Sequence, residues 1–290
     1  MNITLDCLPC FVRHSLEVLK EFSVEDSLRE KILRKVLSRM SEIDYSLTPP
    51  EFAAEIHDYI RKQLDCDDPY EKIKKDSNLL AEKLVEKLEQ NLATDSDSLR
   101  KAVMYSIAGN IIDSGVSAVT PIDEVLKSVE MAEKISPEID DFKELETALA
   151  SAEKILFLGD NAGEVFFDRI LLKTLAAGKK VYYAVKSGPV LNDATLVDAT
   201  AAGLQHYAEI IENGTRTPGT PLNSVSKEFQ QVFDAADLII SKGQANFETL
   251  SGKSDKRIFF LLRAKCEVIA QKAGVNRGSF LIFQNDKKIM

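Results

Sequence analysis

The sequence predicts an α/β protein, a Rossmann-like α/β/α sandwich with a mostly parallel sheet, preceded by an all-helical N-terminal region. Residues 1–150 carry apolar positions at helical spacing and no strand-like alternation of any length, whereas residues 151–290 alternate short apolar runs with helix-like stretches. Continuous apolar strands separated by helices are typical of a parallel sheet that is covered on both faces. We therefore predict a helical region over 1–150 and an α/β domain over 151–290.

The helices of the first region are marked by apolar spacing and by their boundaries. Apolar residues recur at helical spacing from Leu8 to Leu19 and again from Leu79 to Leu88. The pair Pro49-Pro50 marks a boundary before a further helix. Helices are predicted over residues 27–40 and 51–64, and from a cap at Asp97 or Ser98 through Ala108.

Six short runs of apolar or β-branched residues are the predicted strands of the second region. Helix-like stretches, such as residues 165–177 and 224–235, lie between most of them. Strands that alternate with helices along the chain indicate βαβ units and hence parallel pairing. The predicted strands are residues 154–158, 180–185, 209–211, 238–241, 257–262 and 279–283.

The composition predicts a cytoplasmic protein with a substantial core and no membrane partner. The chain has 290 residues, 44% of them hydrophobic, but no apolar run approaches the roughly 18 residues that a membrane span needs. Asp6, Cys7 and Cys10 lie where the apolar core of a signal peptide would be. Four cysteines do not make a disulfide scaffold in a chain of this size.

The charge distribution favours a small anionic partner over nucleic acid. A net charge of −9 argues against nucleic acid as the main partner. Residues 1–150 contain 19 Lys and Arg against 31 Asp and Glu, hence −12, while residues 151–290 contain 18 against 15, hence +3. A small anion would fit the second region better, although solvated acidic helices in the first region account for the same asymmetry.

Polar motifs follow three of the predicted strands, at the edge where a doubly wound sheet forms its sites. They are the segments 159–164, 186–195 and 241–248, and each combines a small-residue turn with charged or amide side chains. Because the carboxyl ends of parallel strands share one edge, the three motifs should converge. Each motif alone is more often a turn or a helix cap, so the prediction of a site depends on all three together.

The converging motifs predict metal-assisted phosphoryl transfer to water. Asp160, Asn161 and Asp193 offer two carboxylates and an amide oxygen to a six-coordinate divalent cation. The cation would polarise the phosphoryl oxygen and lower the pKa of a bound water. Either that water or a carboxylate, with Asp160 the first choice, would be the attacking group.

A second set of residues is expected around the phosphate. Lys242, together with Lys186, would neutralise phosphate oxygens, and the Ser187-Gly188 turn would donate backbone amides. Asn110 and Asp113 are polar residues embedded in apolar sequence of the helical region. They either brace a helix end or reach across to the sheet and close the pocket.

Cys7 and Cys10 form a C-x-x-C pair, and His14 follows four residues after Cys10. One interpretation is a soft-metal or redox site that is completed by Cys66 or Cys266. No second C-x-x-C and no His-rich partner supports a closed zinc site. Ordinary cysteines on the buried face of a helix are the simpler interpretation.

The ordered motifs of this chain resemble those of a known family. GDNAGE, KSGPVLNDAT and SKGQANFE, with DCLPCFVRHS at the start and AGNIIDSG midway, are similar to the metal-dependent damage-control phosphatases, formerly domain of unknown function 89. The similarity is greatest to the compact prokaryotic, cysteine-bearing subgroup and covers nearly the whole chain. The segment FLLRAKCEVIA also fits, with Glu267 where the pattern has Pro.

The resemblance implies hydrolysis of phosphate monoesters, such as sugar phosphates or damaged phosphometabolites, with Mg, Mn, Co or Ni. By motif position, the family's metal-binding Asp-Asn pair falls on Asp160 and Asn161, and its second acid falls on Asp193. The phosphate-contacting lysine of the family falls on Lys242. The expected cofactor is a divalent metal ion and the expected partner is a small phosphorylated metabolite.

Two alternatives to a metal-dependent phosphatase stay open. Because relatives once carried the name acidic-residue methyltransferase, an S-adenosylmethionine-dependent carboxyl methyltransferase is the first. Such an enzyme would need an acid at the end of the second strand for the ribose hydroxyls, where this chain has Lys186 and Ser187. The second alternative is a non-catalytic protein that binds phosphorylated metabolites.

Overall fold

A seven-stranded, mostly parallel sheet organises the protein and confirms the predicted α/β class. The computed structural model describes residues 1–22, 24–92, 98–110, 129, 134–176, 178–252 and 254–286. Asp113, which is expected either to brace a helix end or to close the phosphate pocket, lies outside the described residues. Among those residues, no helix is both long enough and apolar enough to cross a bilayer.

Residues 1–110 form helices and their connections where they are described, as the apolar spacing predicts. The third helix begins with a capping box, in which the backbone N–H and hydroxyl of Thr48 both donate to the Glu51 carboxylate. Pro49 and Pro50 occupy its first turn, where no intrahelical N–H donor is required. The helices described there are α1 (Leu8–Glu21), α2 (Asp26–Met40), α3 (Pro49–Leu64), α4 (Glu71–Leu92) and α5 (Ser98–Ala108).

Strands and helices alternate through the rest of the described chain. The strands are β1 (Ile139–Asp140), β2 (Lys154–Leu158), β3 (Lys180–Val185), β4 (Glu209–Glu212), β5 (Leu238–Lys242), β6 (Ile258–Arg263) and β7 (Phe280–Gln284). The helices are α6 (Phe142–Ser151), α7 (Glu164–Leu175), α8 (Leu196–Ala201), α9 (Lys227–Ala235), α10 (Gly243–Leu250) and α11 (Glu267–Ala273).

The strand order is β1-β7-β6-β5-β2-β3-β4. Strands β2 to β6 are mutually parallel, while β7 pairs antiparallel with β6 and parallel with β1. The chain moves outward from β2 to β3 and β4, and then returns to place β5 on the other side of β2. The point where the order reverses therefore lies between β2 and β5, and doubly wound sheets bind their ligands outside the carboxyl ends of such strands.

Three apolar clusters stabilise the described part of the chain. Side chains of α4, α5 and α7 pack on one face of the sheet, and side chains of α9 to α11 pack on the other. A third cluster joins α1, α2 and α3 around Ile32, Phe52 and Ile60. Helices α4 and α5 thus belong to the layers of the sandwich, whereas α1 to α3 form a helical cap with a core of its own.

Strand β1 departs from the helical region that is predicted over residues 1–150. It consists of Ile139 and Asp140, which pair with Leu281 and Ile282 of β7. Two residues are too few to show a strand pattern, so only the tertiary pairing defines this strand.

Candidate active site

Two adjoining loops bring together the three predicted metal ligands. The backbone N–H of Ala162 donates to Asn192 O at 2.9 Å, and that of Ala194 donates to Asp160 O at 2.8 Å. These two bonds flank an antiparallel bridge between Asn161 and Asp193. In such a non-hydrogen-bonded pair the two side chains lie on the same side of the bridge, with Cα atoms typically about 4.5 Å apart.

Burial makes these polar side chains costly unless they are compensated. Asp160, Asn161 and Asp193 are 6%, 5% and 3% exposed, respectively. The Asn161 amide nitrogen donates to Asp160 Oδ2 at 3.1 Å and to Glu164 Oε1 at 2.9 Å. The two hydrogen bonds fix the amide orientation and couple the end of β2 to the first turn of α7.

Lys186 continues β3 and lies next to the second predicted acid. Its ammonium is 3.5 Å from Asp193 Oδ2 and also donates to the carbonyl oxygen of Gly219. Burial lowers the pKa of Lys186, and the carboxylates of Asp193 and Asp160 oppose this effect. The side-chain nitrogen of Lys186 thus lies beside the carboxylate of Asp193.

Lys242, at the end of β5, lies in the interior beside the same site. Its ammonium donates to Asp168 Oδ1 at 2.7 Å, to Ser106 O at 2.8 Å and to Glu164 Oε2 at 3.4 Å. Burial opposes the charge of Lys242, but the carboxylates of Asp168 and Glu164 outweigh it and raise the lysine pKa. The ammonium group of Lys242 therefore donates its hydrogen bonds to residues of α5 and α7. It interacts with the Asp160 carboxylate electrostatically and not through a hydrogen bond.

The carboxylate of Asp168 accepts hydrogen bonds from side chains of three separate elements. Besides Lys242, it accepts from the Ser106 hydroxyl at 2.6 Å and from the Tyr183 hydroxyl at 2.7 Å. Burial raises the pKa of Tyr183 well above its usual value, so this phenol remains a donor. This arrangement locks α5, α7 and β3 together directly beneath the candidate site.

The helical region reaches the site through two asparagines. Asn110, just beyond α5, donates from its amide to Glu164 Oε1. Asn78 of α4 accepts from the Gly163 N–H at 2.7 Å and donates to Asp198 Oδ1 at 2.8 Å. Of the two roles considered for Asn110, the structure thus has the side chain reaching across to the α/β domain.

Among the described residues, more buried carboxylates than ammonium groups lie at this edge of the sheet. Four carboxylates, those of Asp160, Glu164, Asp168 and Asp193, face two ammonium groups, those of Lys186 and Lys242. Taken in their ordinary charged forms, these groups carry a formal charge of −2. A set of buried carboxylates is a suitable environment for a divalent cation, which would add positive charge beside them.

The donor set fits a hard cation with an incomplete protein shell. Carboxylate and amide oxygens are the ligands that such ions take, and Mg²⁺ usually keeps several waters beside one or two carboxylates. No three His, Cys, Asp or Glu side chains within the described ranges converge closely enough to hold a metal alone. A cation here would need the Asn161 amide oxygen and water as well as Asp160 and Asp193.

The Ser187-Gly188 turn lies beside the site but uses its groups locally. The Ser187 N–H donates to Thr215 O at 3.1 Å, and the Ser187 hydroxyl accepts from the Gly214 N–H at 2.7 Å. Gly188 lies against the guanidinium of Arg216, which a Cβ at this position would overlap. The Ser187 amide is thus not directed at a phosphate in this structure.

Sequence reasoning assigned no role to Glu164, Asp168 or Asn246, which the structure places within the site or directly behind it. The Asn246 amide nitrogen donates to Gly159 O at 3.1 Å and to Lys242 O at 2.8 Å, which joins the ends of β2 and β5. Glu164 and Asp168 lie four residues apart and therefore on one face of α7. That spacing, within a strongly apolar helix, is a signal that would have identified both.

The four cysteines form no disulfide with one another, and no cluster of His, Cys, Asp or Glu among the described residues makes them a metal site. Cys10 Sγ is 3.6 Å from His14 Nε2, and Cys7 Sγ is 3.5 Å from the Thr4 hydroxyl. Cys7, Cys10, Cys66 and Cys266 are all free thiols. Burial raises the pKa of Cys10, which favours its neutral form.

The fold and the site together define an α/β protein with a buried acidic cluster at the switch point of its sheet. The chain belongs to the damage-control phosphatase ARMT1-like domain family, whose model matches residues 3–281. It is 36% identical to damage-control phosphatase PH1575 of Pyrococcus horikoshii over 294 residues, with 100% of both chains covered. A damage-control phosphatase of Archaeoglobus fulgidus is 32% identical, over 97% of this chain and 98% of the relative.

A crystal structure of a protein of the same family confirms the fold. The structure of the DUF89 family protein PH1575 from Pyrococcus horikoshii matches with a TM-score of 0.92 and 34% sequence identity. The match covers 98% of this chain and 99% of the other. The resemblance inferred from the motifs is thus confirmed at the level of family and fold.

Proposed function

We propose that this protein is a metal-dependent phosphatase that hydrolyses phosphate monoesters of small metabolites, such as sugar phosphates or damaged phosphometabolites. The relatives named damage-control phosphatases support the phosphatase class. The proposed cofactor is one divalent ion, Mg, Mn, Co or Ni, since oxygen ligands accept all of these and cellular availability decides among them.

The observation that carries this proposal is that Asp160, Asn161 and Asp193, all buried, lie around one antiparallel bridge at the switch-point edge of the sheet. Asp160, Asn161 and Asp193 would hold the ion. Once bound, the ion would supply Lewis-acid polarisation of the phosphoryl oxygen and a more acidic water.

The side chains around the ion have distinct roles in this proposal. Lys186 and Lys242 would moderate the negative potential that an approaching phosphate dianion meets, because each lies within the field of Asp160. Glu164 would orient the Asn161 amide and the Asn110 amide, to both of which it is hydrogen-bonded. Asp160 remains the candidate for a carboxylate nucleophile, with water as the other candidate.

The first test is phosphate release from p-nitrophenyl phosphate and a panel of sugar phosphates. The protein is treated with EDTA, and Mg, Mn, Co or Ni is added back singly. We expect metal-dependent release that is lost in Asp160→Asn and in Asp193→Asn. Asp76→Asn, an acid-to-amide change at an ion-paired residue on the outside of α4, is the matched control and should retain activity.

The other outcomes of this test separate the alternatives. No release with any metal would refute the phosphatase, and a titration with S-adenosylmethionine would then distinguish the methyltransferase from the non-catalytic binder. Release that is undiminished in Asp160→Asn would refute the assignment of the site, although the activity itself would stand.

A further inference from the structure

The arginines of this acidic protein fall into two groups. Eleven arginines occur in the sequence, and all lie among the described residues. Eight of them form an ion pair with a carboxylate: Arg29, Arg34, Arg39, Arg61, Arg100, Arg169, Arg216 and Arg257. Within the described part of the chain, Arg13, Arg263 and Arg277 have no such partner. Because acids outnumber bases by nine in this protein, three guanidinium groups without a carboxylate are unexpected.

These three arginines line one cleft, which also contains Lys265 and which we call the basic cleft. Its volume is about 650 Å³, within the range of small-molecule sites. Among the described residues of its lining, Arg13, Arg263 and Arg277 outnumber the one acid, Glu17. The cleft lies between α1 and α4 of the helical region and the ends of β6 and the loop before β7.

Two of the arginines are held in place by the backbone. Arg263 Nε donates to Gly278 O at 3.2 Å, and Arg277 Nε donates to Lys265 O at 2.9 Å. In each bond the donor is the Nε–H, and the two terminal nitrogens of that guanidinium take no part in the bond. Guanidinium groups that are fixed in this way present donors that suit phosphate and carboxylate oxygens.

The basic cleft adjoins the candidate active site through one loop. Leu191 and Asn192 line the cleft, and Asp193 follows them directly. Asn192 O accepts the bond from Ala162, the residue after Asn161. Leu191 has a φ of +47°, a costly conformation for a residue with a side chain, and such outliers concentrate at functional loops. The loop that carries Asp193 therefore also forms part of the wall of the basic cleft.

We infer that the basic cleft binds a second anionic group on the leaving-group side of the substrate, a phosphate or a carboxylate. The inference rests on the proposed function, because it assumes that the scissile phosphate sits at Asp160 and Asp193. It narrows the substrate class to phosphate monoesters whose alcohol carries a second negative charge. Arg263 and Arg277 are the specificity-determining residues in this assignment.

The test compares two substrates with the same scissile bond, hexyl phosphate and 1,6-hexanediol bisphosphate. In the wild-type protein, with the metal that best supports phosphate release, we expect kcat/KM to be at least tenfold higher for the bisphosphate. Charge-assisted hydrogen bonds of ordinary strength account for a factor of this size. Because the bisphosphate has two equivalent scissile phosphates, its kcat/KM would be about twice that of hexyl phosphate even without a second anion site.

The variant that tests the cleft is the double change Arg263→Gln/Arg277→Gln. For each protein, kcat/KM on the bisphosphate is divided by kcat/KM on hexyl phosphate. We expect this ratio to fall to about two in the double variant. Arg34→Gln, which removes an exposed arginine that is paired with Glu30, is the control and should keep the wild-type ratio. A ratio near two in the wild type, or a high ratio that survives the double change, would overturn the inference and leave the proposed function intact.

Failure of the proposed function gives a different result, in which neither ester is hydrolysed with any metal. The cleft is then tested by calorimetric titration of 1,6-hexanediol bisphosphate into the wild type and the double variant. Binding that is at least tenfold weaker in the double variant would support the cleft as an anion site. Equal binding by the two proteins would overturn it.

Discussion

The carboxylate of Asp160 lies directly against the α-carbon of Gly243. A Cβ at Gly243 would overlap Asp160 Oδ2, and the glycine has a φ of +78°. Gly243, the first residue after β5, thus has no side chain where the carboxylate of Asp160, at the end of β2, occupies the space. The ends of β2 and β5, the strands on either side of the switch point, therefore pack closely together at the contact between Asp160 and Gly243.

Substituting this glycine should therefore disable the site. We expect Gly243→Ala to lower kcat/KM on p-nitrophenyl phosphate by at least a hundredfold, because the new methyl group must displace the Asp160 carboxylate. Gly274→Ala is the matched control, since Gly274 has a similar φ of +70° but no neighbouring atom within 4 Å of the place where a Cβ would lie. The control should lose about 1 kcal/mol of stability and no activity; equal activity in both variants would contradict the prediction.

Removal of the metal should destabilise the protein as well as stop turnover. A ligand that binds only the folded state stabilises it by about 2.7 kcal/mol at a hundredfold excess over Kd. We expect EDTA to lower the Tm of the wild type and of Asp76→Asn, and to leave the Tm of Asp193→Asn almost unchanged. A Tm of Asp193→Asn that responds to metal like that of the wild type would place the ion elsewhere.

The buried pair of Lys242 and Asp168 should be strongly coupled. Their side chains are 1% and 0% exposed, respectively, and the ion-pair distance is 2.7 Å. Lys242→Met leaves the carboxylates of Asp168 and Glu164 without their ammonium, and we expect it to cost about 3–5 kcal/mol of the free energy of unfolding. Combining it with Asp168→Asn should cost less than the sum of the two single changes. Additive losses in urea unfolding would show that the pair acts as two independent groups.

Glu248 should make stability depend on pH. Burial raises the pKa of Glu248 to about 7, and its hydrogen bond from Gln244 offsets only part of that effect. Between pH 4.5 and about 7 the folded state retains a proton that the unfolded state has lost, so the free energy of unfolding falls as the pH rises through this window. Glu248→Gln lacks this titration, and its stability relative to the wild type should rise by up to about 3 kcal/mol from about pH 5 to about pH 8.

Urea unfolding at the two pH values measures this difference. Glu82→Gln, at an exposed position of α4, is the control and should follow the wild-type pH dependence. Parallel pH profiles of Glu248→Gln and the wild type would show that burial does not disfavour the charged form of the Glu248 carboxyl.

The strands of the sheet were predictable because burial on both faces leaves continuous apolar runs in the sequence. All six predicted strands occur, with ends that differ by at most one residue. The same reasoning predicted that Asp160, Asn161 and Asp193 converge at one edge of the sheet, where Asn161 and Asp193 form a bridge; their role as metal ligands stays a prediction. Strand β1 escaped prediction because two residues carry no periodicity.

The parts of the site that sequence reasoning missed depend on contacts between distant segments. Asp168 looks like an ordinary helix acid until Ser106, Tyr183 and Lys242 are brought around it by folding. Arg13 and Arg277 belong to opposite ends of the described chain, and no local pattern links them. Local spacing identifies partners such as Glu30 for Arg34, but whether Arg13, Arg263 and Arg277 meet a carboxylate from a distant segment depends on the tertiary structure.

The position of β7 in the sheet determines when the sheet can be completed during folding. It is the last of the seven strands along the chain, yet it lies between β6 and β1. During synthesis, β1 therefore emerges long before the strand with which it pairs, and the apolar edge of β6 stays open until β7 leaves the ribosome. An open, apolar edge is a template for strands of other chains, so the nascent protein is most prone to aggregate just before its sheet is completed.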